Sequence, residues 1–206
     1  MAEIKVLIEG KFIFDETRGS ETSCTVTLIK TDKTILVDTG SFLDKDTLLH
    51  ELKKEGIRPE DIDIVFLTHV HLDHVVNVGL FKESLILCKY RGGEYPGQTH
   101  YPKTGCTVRT KLVDGTMIAE DVELMLTPGH SDDMVSLVVD IPEGKVVIAG
   151  DAIPGEEWVD MALKPNPTVV EVEGFNKSRR KILAVADFIV PGHGRMFRVR
   201  NGVRIF

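Results

Sequence analysis

The sequence predicts an α+β domain in which β-sheets pack between helical layers. Two observations lead to this prediction. The 206 residues contain many short apolar runs of strand character and only two clear segments of helical periodicity. The composition, 42% hydrophobic and 28% charged, is that of a globular protein with a large core. Because no internal repeat, low-complexity tract or Pro/Gly/Ser-rich linker divides the chain, residues 1–206 are predicted to form a single domain.

The elements follow one another along the chain. Apolar or β-branched runs predict strands over 4–8, 24–29, 34–37, 62–67, 85–88, 107–112, 122–126, 135–139, 145–149 and 188–190. The continuous run at 62–67 is typical of a strand that is buried on both faces. An amphipathic helix is predicted over 44–55, since Leu48, Leu49 and Leu52 share one face and Gly56 ends it. A second helix is predicted over 170–186, weakened by Gly174.

The composition also bears on where the protein works. No stretch approaches the roughly 18 uncharged apolar residues of a membrane span, and the N-terminus lacks a signal-peptide core, so we expect no membrane association. The chain has only three cysteines, and an odd, small number does not suit a disulfide framework: Cys24, Cys88 and Cys106. A reducing, cytoplasmic location is therefore predicted.

The charge is distributed unevenly. The net charge of −7 argues against a generally basic nucleic-acid binder. However, residues 177–206, the basic segment, carry +7 and the preceding residues carry −14. Eight bases produce this excess: Lys177, Arg179, Arg180, Lys181, Arg195, Arg198, Arg200 and Arg204. The basic segment can contact RNA, with Arg179 and Arg180 as candidates, or it can pair with the acidic remainder or with another subunit.

The densest cluster of metal-ligand residue types follows the strand at 62–67. Two histidines, His69 and His71, stand two apart in an extended segment and therefore point to the same side, where they can bind one ion. Asp73 and His74 lie just beyond, where the chain turns into a helix, and can reach a second ion. Because zinc requires three or four ligands, this motif predicts further ligands elsewhere in the chain.

Those further ligands occur at the ends of later strands. His130 follows Thr-Pro-Gly, Asp151 follows a glycine, and His193 follows Pro-Gly, so small or turn-forming residues allow the backbone to approach an ion. Five imidazoles and two carboxylates without a thiolate suit zinc, with iron or manganese as alternatives. The remaining histidines, His50 and His100, are interpreted as structural or surface residues.

The order His-x-His-x-Asp-His followed by His, Asp and His at strand ends resembles the metallo-β-lactamase superfamily of hydrolases. Segments 127–136 and 178–194 are similar to the small stand-alone metallo-β-lactamase domain-containing proteins. The resemblance implies a four-layer αβ/βα sandwich with two metals at one sheet edge. It also implies a first metal on three histidines, a second metal on an aspartate and two histidines, and a shared aspartate: His69, His71 and His130; Asp73, His74 and His193; Asp151.

The chemistry expected of such a site is hydrolysis. Two zinc ions that share Asp151 would present a bridging hydroxide to an ester, thioester or phosphodiester, and Asp73 would orient it as the catalytic residue. Because many true β-lactamases place a cysteine where this chain has Asp151, β-lactam turnover is not the expected activity. Three alternatives stay open: a metal-dependent ribonuclease or phosphodiesterase, a mononuclear iron persulfide dioxygenase, and a non-catalytic protein with a structural metal.

Three other features are candidates for a role at the site. Asp38, at the end of the strand over 34–37, either orients a ligand or caps the following Thr-Gly turn. The segment 152–167, which contains Trp158 and Met161, is a candidate lid or homodimer contact. The Gly- and Pro-rich stretch 89–103 either lines the mouth or is a loop held by its own aromatic residues: Tyr90, Tyr95 and Tyr101.

Overall fold

A computed structural model describes residues 1–17, 19–89, 97–165 and 169–199 of the chain. In these ranges the strands are β1 (Glu3–Ile8), β2 (Lys11–Asp15), β3 (Gly19–Ser23), β4 (Val26–Lys30), β5 (Thr34–Val37), β6 (Ile64–Leu67), β7 (Leu85–Cys88), β8 (Gln98–Tyr101), β9 (Cys106–Arg109), β10 (Met117–Ala119), β11 (Val122–Leu126), β12 (Val135–Ile141), β13 (Gly144–Gly150), β14 (Phe188–Pro191) and β15 (Phe197–Arg198). The helices are α1 (Lys45–Lys54), α2 (Leu72–Val75) and α3 (Val172–Leu183), with short 3₁₀ turns at Pro59–Asp61, Val78–Leu80 and Glu156–Val159.

The strands form two sheets and a separate hairpin. The first sheet has the order β1-β4-β5-β6-β7-β8-β9, and the second has the order β10-β11-β12-β13-β14-β15. β5, β6 and β7 run parallel, as do β13 and β14, whereas the other neighbours are antiparallel. β2 and β3 pair only with each other among these strands. The parallel strands bring the ends of β6 and β14, where ligand-type residues follow, to accessible sheet edges.

Alternation of side chains along the first sheet divides them between two cores. In β6, Ile64 and Phe66 face the core between the two sheets, whereas Val65 and Leu67 face the opposite side. On that opposite side they share a cluster with the buried residues of α1, which include Leu48. The prediction that this strand is buried on both faces is therefore confirmed.

The second sheet repeats this arrangement with α3. Val146 and Ile148 of β13 join the core between the sheets, and Val147 and Ala149 pack on the other side in a cluster that contains Ile182 of α3. The order of layers is therefore helix, sheet, sheet, helix. The predicted α+β sandwich with four layers is confirmed.

Several predictions of element bounds were wrong or incomplete. Five strands were not predicted: β2, β3, β8, β10 and β15. β3 and β8 are rich in polar side chains, and β10 and β15 have only three and two residues. None of these four strands therefore shows a clear apolar alternation. The strand predicted over 107–112 is β9, whose four side chains are all exposed at the edge of its sheet.

The helices begin and end within a few residues of the predicted bounds. Asp44 is the residue before α1, and its carboxylate accepts hydrogen bonds from the Ser41 amide and the Ser23 hydroxyl. Gly174 lies in the first turn of α3, where its amide donates to the Glu171 side chain, so it does not weaken the helix interior. None of the helices in the described ranges is long and apolar enough to cross a membrane.

Candidate metal centre

The seven residues predicted as ligands lie together at one end of the two sheets. They follow β6, β11, β13 and β14, and two of them lie in α2. Their ligand atoms form two groups in which the atoms lie within 4.8 Å of one another. The first group is His69, His71, His130 and Asp151, and the second group is Asp73, His74 and His193. The structure therefore brings together every site residue that the sequence indicated.

The first group is built from ring nitrogens that converge on one another. His71 Nδ1 lies 2.9 Å from His69 Nε2 and 3.0 Å from His130 Nε2. His69 is almost completely buried, and this burial, together with the charge of His74, lowers its pKa well below the ordinary value. Burial also lowers the pKa of His130. These imidazoles are therefore held neutral, which is the form that binds a metal.

The second group faces carboxylates. The Nε2 atoms of His74 and His193 lie 3.4 and 3.2 Å from Asp151 Oδ1, and 4.0 and 3.9 Å from Asp73 Oδ2. Burial alone would lower the pKa of His193, but Asp151 outweighs burial and raises it. Burial would likewise raise the pKa of Asp151, but the charges of His193 and His74 hold it well below the ordinary value.

Asp151 stands between the two groups. Its Oδ2 atom is 3.2 Å from His130 Nε2, in the first group, and 3.3 Å from His193 Nε2, in the second. Its Oδ1 atom faces His74 and His193, both in the second group. Within the described ranges, His74 Nε2 and Asp151 Oδ1 are buried atoms without a hydrogen-bond partner. Buried polar atoms are satisfied in native proteins, so these two orphaned atoms fit a bound cation. A donor set of imidazole nitrogen and carboxylate oxygen fits zinc, iron or manganese.

Asp38 makes contacts that favour the ligand-orienting interpretation. Its backbone adopts φ = 59°, a left-handed conformation that is uncommon for a residue with a side chain. Oδ1 accepts a hydrogen bond from the Thr68 amide, and Oδ2 accepts one from the Thr68 hydroxyl, both at 2.8 Å. Oδ2 also lies 2.8 Å from His74 Nδ1. This contact leaves His74 Nε2 to face Asp151 and Asp73.

His74 is also close to a buried thiol. Burial raises the pKa of Cys24 to about 11, so the thiol is neutral near pH 7. Burial would lower the pKa of His74, but Cys24, Asp38 and Asp151 together raise it well above the ordinary value. Because the Cys24 thiol is neutral, the two carboxylates supply the negative charge that His74 experiences.

Two contacts that support the candidate ligands were not predicted from the sequence. The carbonyl oxygen of Ser23, in β3, lies 2.9 Å from His193 Nδ1. The buried carboxylate of Asp133 accepts a hydrogen bond from the amide of Val70, between His69 and His71. Asp133 follows His130 by three residues, and an acid so close to a ligand was an available signal. No such signal existed for Ser23, because its contact depends on the unpredicted hairpin.

A cavity of about 500 Å³ opens from the ligands. Its described lining residues come from the hairpin, the ligand loops, the 3₁₀ turn at Glu156–Val159 and α3: Phe12, Ser20, Thr22, His71, Asp73, His130, Asp151, Pro154, Glu157, Trp158, Val169, Phe175 and His193. Three aromatic rings and one non-ligand carboxylate stand in this wall. Neither lysine nor arginine is present among the lining residues that the structure describes.

The two loop predictions had different outcomes. Trp158 lies in the cavity wall, as the prediction for segment 152–167 suggested, and Met161 packs against the core beneath α3. Residues 166 and 167 of that segment lie outside the described residues. Tyr101 is at the end of β8 and does not line the cavity. Tyr90 and Tyr95 lie outside the described residues, so that part of the prediction is untested.

The described part of the basic segment contains both buried or paired cations and exposed ones, and Lys177, Arg180 and Arg195 are exposed. Arg179 is completely buried and is therefore not available as an RNA contact, which was one of the two interpretations of this segment. Whether the rest of the segment binds RNA stays untested. Lys181 pairs with Asp114 at 2.5 Å, and the Arg198 guanidinium lies 5.7 Å from the centre of the Phe188 ring. Arg200 and Arg204 lie outside the described residues. His50 and His100 do not belong to either ligand group, as predicted.

The chain is similar to known proteins in both sequence and fold. The family model described as "Metallo-beta-lactamase superfamily" matches residues 19–193. The metallo-beta-lactamase domain-containing protein 1 of Xenopus laevis is 39% identical over 182 residues, which cover 84% of this chain and 72% of that protein. The aligned region spans 59–63% of the length of the mammalian proteins of the same name.

Solved structures share the fold at lower identity. A proposed metallo-beta-lactamase from Thermotoga maritima has a TM-score of 0.69 and 24% identity, covering 96% of this chain and 99% of that chain. A dizinc quorum-quenching lactonase in complex with its product has a TM-score of 0.61 and 19% identity, covering 85% of this chain and 74% of that chain. At these identities the likeness shows the fold.

Proposed function

The chain belongs to the metallo-β-lactamase superfamily of metal-dependent hydrolases, and we propose that it is a dinuclear zinc enzyme that cleaves carboxylic esters or thioesters. The single observation that carries the choice of substrate is the cavity wall, which is aromatic and acidic and holds no lysine or arginine among its described residues. The choice of two metals is supported by the two ligand groups that meet at Asp151.

Each metal would have its own set of ligands. The first would be held by His69, His71 and His130, and the second by Asp73, His74 and His193, with Asp151 shared between them. The support is the separation of the ligand atoms into two groups within 4.8 Å and the position of the Asp151 carboxylate, which is close to histidines of both groups. When bound, two zinc ions would lower the pKa of water toward neutrality and polarise the substrate carbonyl.

The chain's own residues would perform the remaining steps. Asp73 is the most accessible carboxylate of the ligand groups, and its side chain is 18% exposed at the cavity. We assign it to orient the attacking water and to hold a proton until the leaving alkoxide or thiolate takes it up. Asp38 keeps His74 oriented through Nδ1, and the Ser23 carbonyl does the same for His193.

The cavity wall favours a neutral acyl substrate over a nucleic acid. Proteins bind phosphodiesters chiefly through lysine, arginine and backbone amides. Glu157 instead places a negative charge in the wall, which disfavours an anionic substrate by like-charge repulsion. The rings of Phe12, Trp158 and Phe175 can bury an apolar acyl group beside the ligands.

Metal analysis and a substrate panel test this proposal together. Protein purified without added metal is analysed by mass spectrometry for zinc, iron and manganese. It is then assayed on 4-nitrophenyl esters of two chain lengths, a thioester, a lactone and bis(4-nitrophenyl) phosphate. The lactone is included because one fold neighbour is a lactonase. We expect two zinc ions per chain, turnover of esters or thioesters, loss of turnover on chelation and recovery on addition of zinc.

Each alternative function predicts a different result. Preferential cleavage of the phosphodiester would replace our proposal with the nuclease alternative. One iron per chain with consumption of O₂ on a persulfide would replace it with the dioxygenase. A metal-loaded protein whose cellular role survives Asp73→Ala would indicate a structural metal.

A further inference from the structure

Arg179 is a buried cation in helix α3 that holds the cavity wall. The guanidinium donates three hydrogen bonds to backbone carbonyls, from Nη1 to Trp158 and Asp160 at 3.0 and 3.2 Å, and from Nη2 to Leu163 at 3.4 Å. A fourth runs from Nη2 to Asn176 Oδ1 at 2.7 Å. Three of these acceptors belong to residues 158–163, a stretch that begins with Trp158 of the cavity wall.

The same guanidinium contacts two of the aromatic rings that line the cavity. Its central carbon lies 5.7 Å from the centre of the Trp158 ring and 5.1 Å from that of Phe175. The two rings meet edge to face with their centres 5.8 Å apart. A cation against aromatic faces in a buried setting is an attractive contact, so Arg179 fixes the rings as well as the backbone.

Helix α3 is itself held against a ligand turn. The Ser178 hydroxyl donates a hydrogen bond of 2.7 Å to the carbonyl of Pro128, two residues before His130. Gly129 allows the close approach, because a Cβ atom there would lie 2.1 Å from the Phe175 nitrogen. Arg179 therefore connects Trp158 to a helix whose position relative to His130 is already set.

We propose that Arg179 is a positioning residue that sets acyl-chain specificity by holding Trp158 in the cavity wall. This inference rests on the proposed esterase function for its kinetic part and on the structure alone for its positioning part. Arg179 is not among the residues that line the cavity, whereas the two rings that it contacts are, so it acts through Trp158 and Phe175. Removal of its hydrogen bonds would take a donor from three loop carbonyls, of which Asp160 would keep the Leu163 amide, and would allow the loop to move.

Trp158 is the only tryptophan of the chain, so its fluorescence reports on this loop directly. The variant is Arg179→Met, and the matched control is Arg180→Met, which changes the exposed neighbour on the same helix. For Arg179→Met we expect a red-shifted emission, stronger quenching by acrylamide and an unchanged metal content.

The KM of Arg179→Met for 4-nitrophenyl octanoate should rise about tenfold, the effect of a lost apolar contact. The kcat for the acetate should stay within about twofold of the wild type, because the ligands are untouched. Arg180→Met should match the wild type throughout.

The outcomes separate the two proposals. If no ester is hydrolysed but the emission shifts, the esterase proposal fails and the positioning role stands. If Arg179→Met has the emission and quenching of Arg180→Met, the positioning role is wrong whatever the activity. If Arg179→Met does not fold, Arg179→Lys is the replacement variant. A lysine lacks the planar set of N–H donors with which the guanidinium binds these carbonyls. Unchanged Trp158 fluorescence in a folded Arg179→Lys protein overturns the proposal as well.

Discussion

The two ligand groups are held in place by different kinds of contact. In the first group, His69 and His71 are two residues apart, and the segment between them is tied down by the Val70 amide, which donates to Asp133. In the second group, His74 and His193 are each anchored through Nδ1 to a distant part of the chain, Asp38 and Ser23, which are 36 and 170 residues away. The Asp133 contact also spans 63 residues, so both groups depend on long-range packing. The first is held through the backbone between two of its histidines, and the second through the ring nitrogens of its histidines.

The groups also differ in charge. Burial lowers the pKa of His69 and His130, whereas nearby carboxylates raise the pKa of His74 and His193. The first group thus contains two imidazoles held neutral, those of His69 and His130, and one shared carboxylate, whereas the second is a paired arrangement of imidazoles and carboxylates. Asp151, which touches both groups, should therefore matter more than any residue that supports only one.

Asp151→Ala is expected to have the largest effect. Loss of the shared carboxylate removes a ligand from both groups, so we expect kcat/KM to fall by about 10³-fold or more. The measurement is ester turnover together with the zinc content per chain, which should decrease at both positions. His100→Ala, outside both groups, is the control. If Asp151→Ala kept two zinc ions, Asp151 would not be the shared ligand.

Asp38→Ala is expected to affect the second group selectively. Without the carboxylate, the Thr68 amide and hydroxyl and His74 Nδ1 lose their shortest contacts. The hydroxyl keeps a contact of 3.1 Å with His69 Nδ1 and one of 3.5 Å with His74 Nδ1. We expect activity to fall by about 10- to 100-fold and the free energy of unfolding to fall by about 2 kcal/mol.

The zinc content distinguishes a selective effect from a general one in this case. Asp38→Ala should lose the ion of the second group first, which a competitive chelator titration would detect as one weakened site of two. Asp38→Asn has a side chain of similar shape that retains an acceptor oxygen, so it should recover part of the metal affinity of the second group. Equal weakening of both sites would contradict the division into two groups.

Asp133→Ala is expected to have the smallest effect of the three and to act on the first group. It removes the acceptor for the Val70 amide, which lies between His69 and His71. Since the histidines remain and only their backbone is loosened, we expect about a tenfold loss of affinity for the first metal. Asp133→Asn, which keeps an acceptor for the amide, should restore most of it. Weakening confined to the second metal in the same titration would reverse our assignment.

The extent to which the sequence predicts the site depends on how local each feature is. The spacing of His69, His71, Asp73 and His74 places four ligand types at one strand end without knowledge of the rest of the fold. His130, Asp151 and His193 were identified because each follows an apolar strand and a small residue. The inner strands were also predicted, because apolar runs bounded by turn residues are a local signal.

Features that arise from contacts between distant elements were not predicted. The side chains of the hairpin of β2 and β3 that the structure describes are mostly exposed, yet the hairpin supplies Phe12 to the cavity and the Ser23 carbonyl to His193. Arg179 illustrates the same limit. In the sequence it belongs to a basic segment that suggests RNA, but the fold buries it against loop carbonyls and two rings.

The sequence by itself determined which seven side chains meet and how the strands divide their residues between two cores. Both follow from short-range regularities: the alternation of side chains in a strand and the occurrence of ligand types directly after it. The tertiary structure alone decided the aromatic cavity wall, the burial of Arg179 and the anchoring of His74 and His193. These depend on how the hairpin, α3 and the 3₁₀ turn at Glu156–Val159 pack against the sheets, and no local pattern of residues encodes which buried donor finds which acceptor.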